Sequence, residues 1–164
     1  MQPFGPSGFA SELEAGVGAP RAARRLLVDR LAAGGFDTDG PGVQAALLVM
    51  SEMTTNAVVH TTATETIHLQ VDLPRPGVVR LAVCDSDPDY VPERTWPSPG
   101  EVGGWGVELV RRLSDSWGFG PRTDGREGKE VWAQFDIESA GVRFAEGHDL
   151  PGHAAARSDA TSAQ

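Results

Sequence analysis

From Val43 to Thr61 the chain contains no glycine or proline, and Val43, Ala46, Leu47, Met50, Ala57 and Val58 recur along one side at helical spacing. That side is predicted to face a core. Projected at about 100° per residue, Glu52 and Asn56 fall on the opposite side, where their neighbours are Leu48, Val49 and Val59 instead of Lys, Arg or Gln. A helix that is apolar nearly all round is normally covered on both sides. A carboxylate and an amide held there are costly unless something satisfies them, and a bound ligand would do so. Taken alone, Glu-x-x-x-Asn is a weak pattern, and the plainer reading is that the two side chains bond each other or a nearby loop. The later segments decide between these readings.

Ile67, Leu69, Val71 and Leu73 alternate with Thr66, His68, Gln70 and Asp72, which predicts a half-buried strand. Pro74-Arg75-Pro76-Gly77 supplies a turn, and Val79, Leu81 and Val83 alternate in a second strand, giving an antiparallel hairpin. Asp85 continues the inward series 79, 81, 83, so its carboxylate is aimed at the core face just past the strand end. An aspartate in such a place also commonly turns onto its own backbone. From Asp85 to Gly103 there is no periodicity, and Pro88, Pro92, Pro97 and Pro99 interrupt the chain. A loop of that length inside a compact domain reads as a lid.

The loop leads through Gly103-Gly104-Trp105-Gly106 into a short helix from Val107 to Leu113. Glycines at a helix start let backbone N–H groups approach an anion, and the helix dipole favours negative charge there, so phosphate is the natural occupant. A dinucleotide fingerprint is disfavoured, because the third glycine is missing and a Pro-rich loop precedes the motif where a strand is required. A strand then starts at Trp117 to Gly120, Pro121 to Gly128 forms a polar turn, and Val131, Ala133, Phe135 and Ile137 alternate in a final strand. Ahead of the long helix, Phe9 to Leu13 reads as a short edge strand. Ala22, Ala23, Leu26, Leu27, Arg30 and Leu31 read as an amphipathic helix that Pro20 starts and Gly34-Gly35 end. Its Arg21, Arg24, Arg25 and Arg30 read as a solvated charged face.

With 164 residues and 40% hydrophobic content, the chain can bury one core. The expected organisation is a flexible terminus over 1–8, one domain over 9–138 and a disordered tail over 139–164. The net charge of -9 argues against unspecific binding to nucleic acid or an anionic membrane. Cys84 is the only cysteine and cannot pair within the chain. The N-terminus lacks a basic region followed by an apolar one, and no apolar run approaches about 18 residues, so the expectation is a cytoplasmic protein. His148 and His153 lack further ligands at zinc spacing.

The helix with Glu52 and Asn56, the inward Asp85 after a hairpin, the lid and the Gly104-Trp105-Gly106 helix start come in one fixed order. In that order they resemble the nucleotide-binding site of the GHKL superfamily of gyrase-like ATPases, chaperones and histidine kinases. Within it, the run from Ser51 to His60, Ser116-Trp117-Gly118 and Gly128-Lys129-Glu130-Val131-Trp132 look like the short bacterial proteins related to anti-sigma-factor serine kinases. The resemblance implies a two-layer α/β sandwich (the Bergerat fold), with a mostly antiparallel mixed sheet and helices on one face, binding ATP with Mg²⁺. It implies that Asn56 holds Mg²⁺, that Asp85 accepts from the adenine amino group, and that Gly104 and Gly106 give N–H groups to phosphates. Glu52 would be the catalytic base toward a serine hydroxyl. The implied partners are a sigma factor and an anti-anti-sigma protein of STAS type, with no direct nucleic-acid or membrane contact, and a homodimer is compatible. Two departures stand out. Ser86-Asp87-Pro88-Asp89 follow Asp85 where the family often continues x-Gly-x-Gly, and Glu130 stands about where many members carry a threonine that supports adenine recognition. The alternative is a non-catalytic module of the same fold that holds a nucleotide or only a protein.

Overall fold

The computed structural model describes residues 8–60, 65–88 and 106–137. Almost all of the expected lid, with Gly104, residues 1–7 of the expected flexible terminus and the expected tail over 139–164 lie outside the described residues. The elements run β1 (Phe9–Glu14), α1 (Ala19–Ala33), α2 (Pro41–Val59), β2 (Thr66–Arg75), β3 (Val78–Asp85), α3 (Gly106–Leu113), β4 (Ser116–Pro121) and β5 (Lys129–Asp136). The strands form one sheet in the order β1-β2-β3-β5-β4. Every neighbouring pair is antiparallel, so the expected mixed sheet is wholly antiparallel among the described strands. The β2–β3 turn needs Gly77, whose φ of 74° lies in the left-handed region that a side chain disfavours.

Alternation sorts the sheet into two faces. Ile67, Leu69 and Val71 of β2, Val79, Leu81 and Val83 of β3, and Ala133 and Phe135 of β5 share the inner face, and each is at most 3% exposed. Across them lies α2, in contact with β2, β3 and β5 and packed against both α1 and α3. Its predicted core stripe is buried at Val43, Ala46, Leu47, Met50 and Ala57, while Val58 is half-buried. Fully burying a side chain of Leu, Val or Met size stabilises by about 1.5–3 kcal/mol, so this inner layer is the main source of stability. Pro41 opens α2, and Pro20 lies in the first turn of α1. Beyond α1 the chain turns through Gly35 at φ 82°, and the Phe36 N–H donates back to the Leu31 carbonyl at 3.0 Å.

Cover on both sides of α2 was expected, and the structure corrects this. Leu48 is 42% and Val59 64% exposed, so the helix is enclosed by the sheet and its two neighbours but open along part of its outer side. An isolated exposed aliphatic costs little, and hydrophobic content all round a helix does not by itself require a second cover. No helix among the described residues is long and apolar enough to cross a membrane.

The outer face of the sheet carries a polar layer. Arg80 pairs with Glu130 at 2.7 Å, and the Thr123 hydroxyl donates to the same carboxylate at 2.7 Å. The Arg80 guanidinium also lies 5.2 Å from the centre of the Trp132 ring. Trp132 crosses Gly118 so closely that a Cβ there would stand 2.9 Å from the indole. Beneath this layer Cys84 is completely buried, and burial together with the nearby Glu130 charge pushes its thiol up to about 12. It is a protonated, unreactive core group.

Candidate functional site

Glu52 and Asn56 stand one helical turn apart on α2, on the side facing the start of α3. Gly106 meets them there. A Cβ at Gly106 would lie 3.0 Å from Asn56 Nδ2, 3.1 Å from Glu52 Oε2 and 3.2 Å from Asn56 Oδ1. The absence of a side chain at Gly106 therefore brings the first turn of α3 against both polar groups. Three residues singled out from sequence converge at one point, whereas Gly104 lies outside the described residues.

Among the described residues, neither the Glu52 nor the Asn56 side chain makes a hydrogen bond or ion pair, so the two do not satisfy each other, while the nearby loop of the plainer reading lies outside the described residues. Burial without a partner raises the Glu52 pKa above the ordinary carboxylate value. The other acid near this helix start behaves in the opposite way. Glu108 accepts hydrogen bonds from Arg111 at 2.8 Å and Arg112 at 2.6 Å, which hold its carboxyl down at about 2. It is neutralised within its own helix.

From Asn56 a pocket runs toward the sheet, with apolar walls from Met53 and Ala57 of α2, Val83 and Val131 of the sheet, and Val107 and Val110 of α3. Trp117 adds an aromatic wall. Three polar side chains line it, Asn56, Asp85 and Lys129, an apolar slot with few convergent polar groups. As parity predicted, Asp85 points inward, and it is 2% exposed. It also turns onto its own backbone, because Oδ1 accepts the Asp87 N–H at 3.0 Å. Both sequence readings of this residue hold at once.

Lys129 was not anticipated. It is 5% exposed, and its ammonium lies 3.0 Å from Oδ2 and 3.1 Å from Oδ1 of Asp85. Residue 129 stands opposite Asp85 across the β3–β5 ladder, and the inward series 131, 133, 135 extended backward by one step would have found it. Glu130 was expected near the threonine that supports adenine recognition in the family. In the structure Glu130 belongs to the outer face with Arg80, and Lys129 is the residue that lines the pocket.

The donor set can be weighed against a metal–nucleotide. No group of three or more His, Cys, Asp or Glu side chains among the described residues is placed to hold a metal ion. One amide oxygen, that of Asn56, suffices for Mg²⁺, which takes most of its oxygens from phosphates and water. The close approach of Gly106 leaves backbone, not side chain, facing that point.

Residues 13–135 match the family model of the histidine kinase-like ATPase domain, and the chain belongs to that family of kinase-like, ATP-binding domains. A solved structure of the RsbU and RsbW domains of Rv1364c from Mycobacterium tuberculosis is similar at a TM-score of 0.56 and 23% identity, covering 77% of this chain and 31% of that one. The chain thus spans about a third of that solved chain, and the likeness is one of fold. No curated protein matches the chain.

Proposed function

We propose that this chain is an ATP-dependent regulatory serine/threonine kinase of the anti-sigma type, which phosphorylates an anti-anti-sigma partner and sequesters a sigma factor. The observation that carries this reading is the convergence of Glu52 and Asn56 on the Gly106 backbone, with neither side chain otherwise engaged among the described residues. Phosphoryl transfer asks a protein mainly for positioning and charge stabilisation, and these groups are of the right kinds for that task. Asn56 would hold Mg²⁺ through its amide oxygen, and the bound ion would offset triphosphate charge. The backbone at Gly106 would face a phosphate, and Glu52 would accept the proton of an attacking serine hydroxyl. The pocket between Asn56 and Asp85 would take the base. Sequestration of a sigma factor rests on family resemblance.

Calorimetry of Asn56→Ala with Mg²⁺·ATP tests the nucleotide reading. Binding is expected to fall by roughly a hundredfold or more, as when a metal-holding group is lost, while the melting temperature stays near that of the parent. Unchanged affinity in the folded variant would remove Asn56 from the site. The non-catalytic module remains the second reading, favoured by one observation: the Asp85 carboxylate, the expected acceptor for a base, is already occupied by Lys129.

A further inference from the structure

In this pocket the residue expected to read the base is held by the protein's own cation. Asp85 Oδ1 accepts from Lys129 Nζ and from the Asp87 N–H, at 3.1 and 3.0 Å, while Oδ2 lies 3.0 Å from the same ammonium. A carboxylate offers about four lone-pair positions, so these donors leave it little capacity for another. The pair is 2% and 5% exposed, and salt screens it poorly. It spans adjacent strands at directly opposed positions, so the backbone register holds the two groups together.

A neutral amino group on a base would compete here with an ammonium. Charge-assisted hydrogen bonds are about twice as strong as neutral ones, and displacing the lysine would separate a buried cation from its carboxylate, exchanging an ion pair for weaker contacts such as the Asp87 carbonyl at 3.4 Å. The ion pair also neutralises the carboxylate, which weakens the polarisation that an adenine amino group would feel from a lone Asp. Two of the polar groups that line the slot are thereby committed to each other, and Asn56 remains for a ligand.

We propose that Lys129 sets nucleotide affinity at the base end of the pocket, by occupying the Asp85 carboxylate that an adenine amino group would otherwise use. The inference rests on the nucleotide-binding reading above, and it makes the phosphate end, at Asn56 and Gly106, the main source of affinity. Adenine recognition is held in check by one side chain.

The test compares Mg²⁺·ATP with Mg²⁺·tripolyphosphate, a probe without a base, by calorimetry on the parent chain, Lys129→Thr, Asp85→Asn and the double variant. Lys129→Thr is expected to bind ATP roughly tenfold tighter or more, the value of a hydrogen bond to a released charge, with tripolyphosphate affinity unchanged. The gain should vanish in the double variant, because it requires the freed carboxylate. Removing one partner of a buried pair can unfold a protein, so Lys129→Gln, which is one bond shorter and keeps a donor but no charge, is measured alongside and should tighten ATP in the same direction. Unchanged or weaker ATP binding in folded Lys129→Thr or Lys129→Gln, with ATP still bound by the parent, would overturn the role of Lys129 and leave the nucleotide reading standing. Tighter binding of GTP than ATP by the parent would also overturn it, since the ammonium would then be donating to a base carbonyl. Failure of both ATP and tripolyphosphate to bind the parent and every variant would instead overturn the nucleotide reading and this inference with it.

Discussion

Gly128→Ala is expected to lower stability by about 3 kcal/mol or more, the largest effect of any small substitution in the sheet. Gly128 has a φ of 124°, and a Cβ there would stand 2.0 Å from the Asp85 carbonyl oxygen and 3.0 Å from Ser86 Cα. Those atoms are backbone, so no side-chain rotation relieves the clash, and β3 and β5 must separate at the rim of the pocket. Two neighbours calibrate the effect. Gly125 has a φ of 77° but open space around it, so Gly125→Ala should cost only the backbone strain, about 1 kcal/mol. Gly120 has open space and no left-handed φ, so Gly120→Ala should lie within about 0.5 kcal/mol of the parent. Chemical denaturation of the three variants checks the ranking. A Gly128→Ala protein as stable as Gly120→Ala would show that the strands do not approach as closely as described. The same approach sets Lys129 beside Asp85, so the variant should also disturb the base end of the pocket.

Much of this arrangement was legible in the residues because the periodicities were clean. Alternation in β2 and β3 located the hairpin and sent Asp85 inward, and helical spacing located α2 together with its core stripe. Sidedness on α2 is less legible, because hydrophobic content on the outer side suggests cover whereas Leu48 and Val59 face outward. Lys129 escaped for a different reason. A lysine at a strand start ordinarily belongs to solvent, and only the pairing of β3 with β5, a contact across 44 positions of sequence, gives it a buried partner. The outer face of the sheet was illegible in the same way. Glu130, Arg80 and Thr123 are individually ordinary surface residue types, and their network exists only once the β3–β5 pairing brings Arg80 across 50 positions of sequence to Glu130, beside which the β4–β5 turn sets Thr123.

Glu52→Gln is expected to separate chemistry from binding. Glutamine keeps the shape and most of the hydrogen-bonding capacity of glutamate but cannot accept the hydroxyl proton, so transfer of the γ-phosphate to a partner serine should fall by roughly a hundredfold or more. Mg²⁺·ATP should still bind. Stability supplies a second, independent signature. The folded-state pKa of Glu52 is raised by burial above the ordinary value of 4.5. Its protonated form is therefore the one the fold favours, and its contribution, present below the unfolded pKa, is lost as pH rises through the folded pKa. At neutral pH the ionised side chain opposes folding, and Glu52→Gln should melt at the same temperature as the parent or higher, with the difference shrinking as the pH falls toward 4.5. The rate of transfer by the parent should fall on the acid side of the profile, where protonation of Glu52 removes the base. A variant that melts lower at neutral pH would mean that Glu52 is a structural partner. A variant that binds ATP and transfers phosphate as fast as the parent would exclude it as the base. If the parent binds both ATP and an anti-anti-sigma partner yet transfers nothing, the family fold serves here as a binding module, with Glu52 retained at a cost in stability that catalysis does not explain.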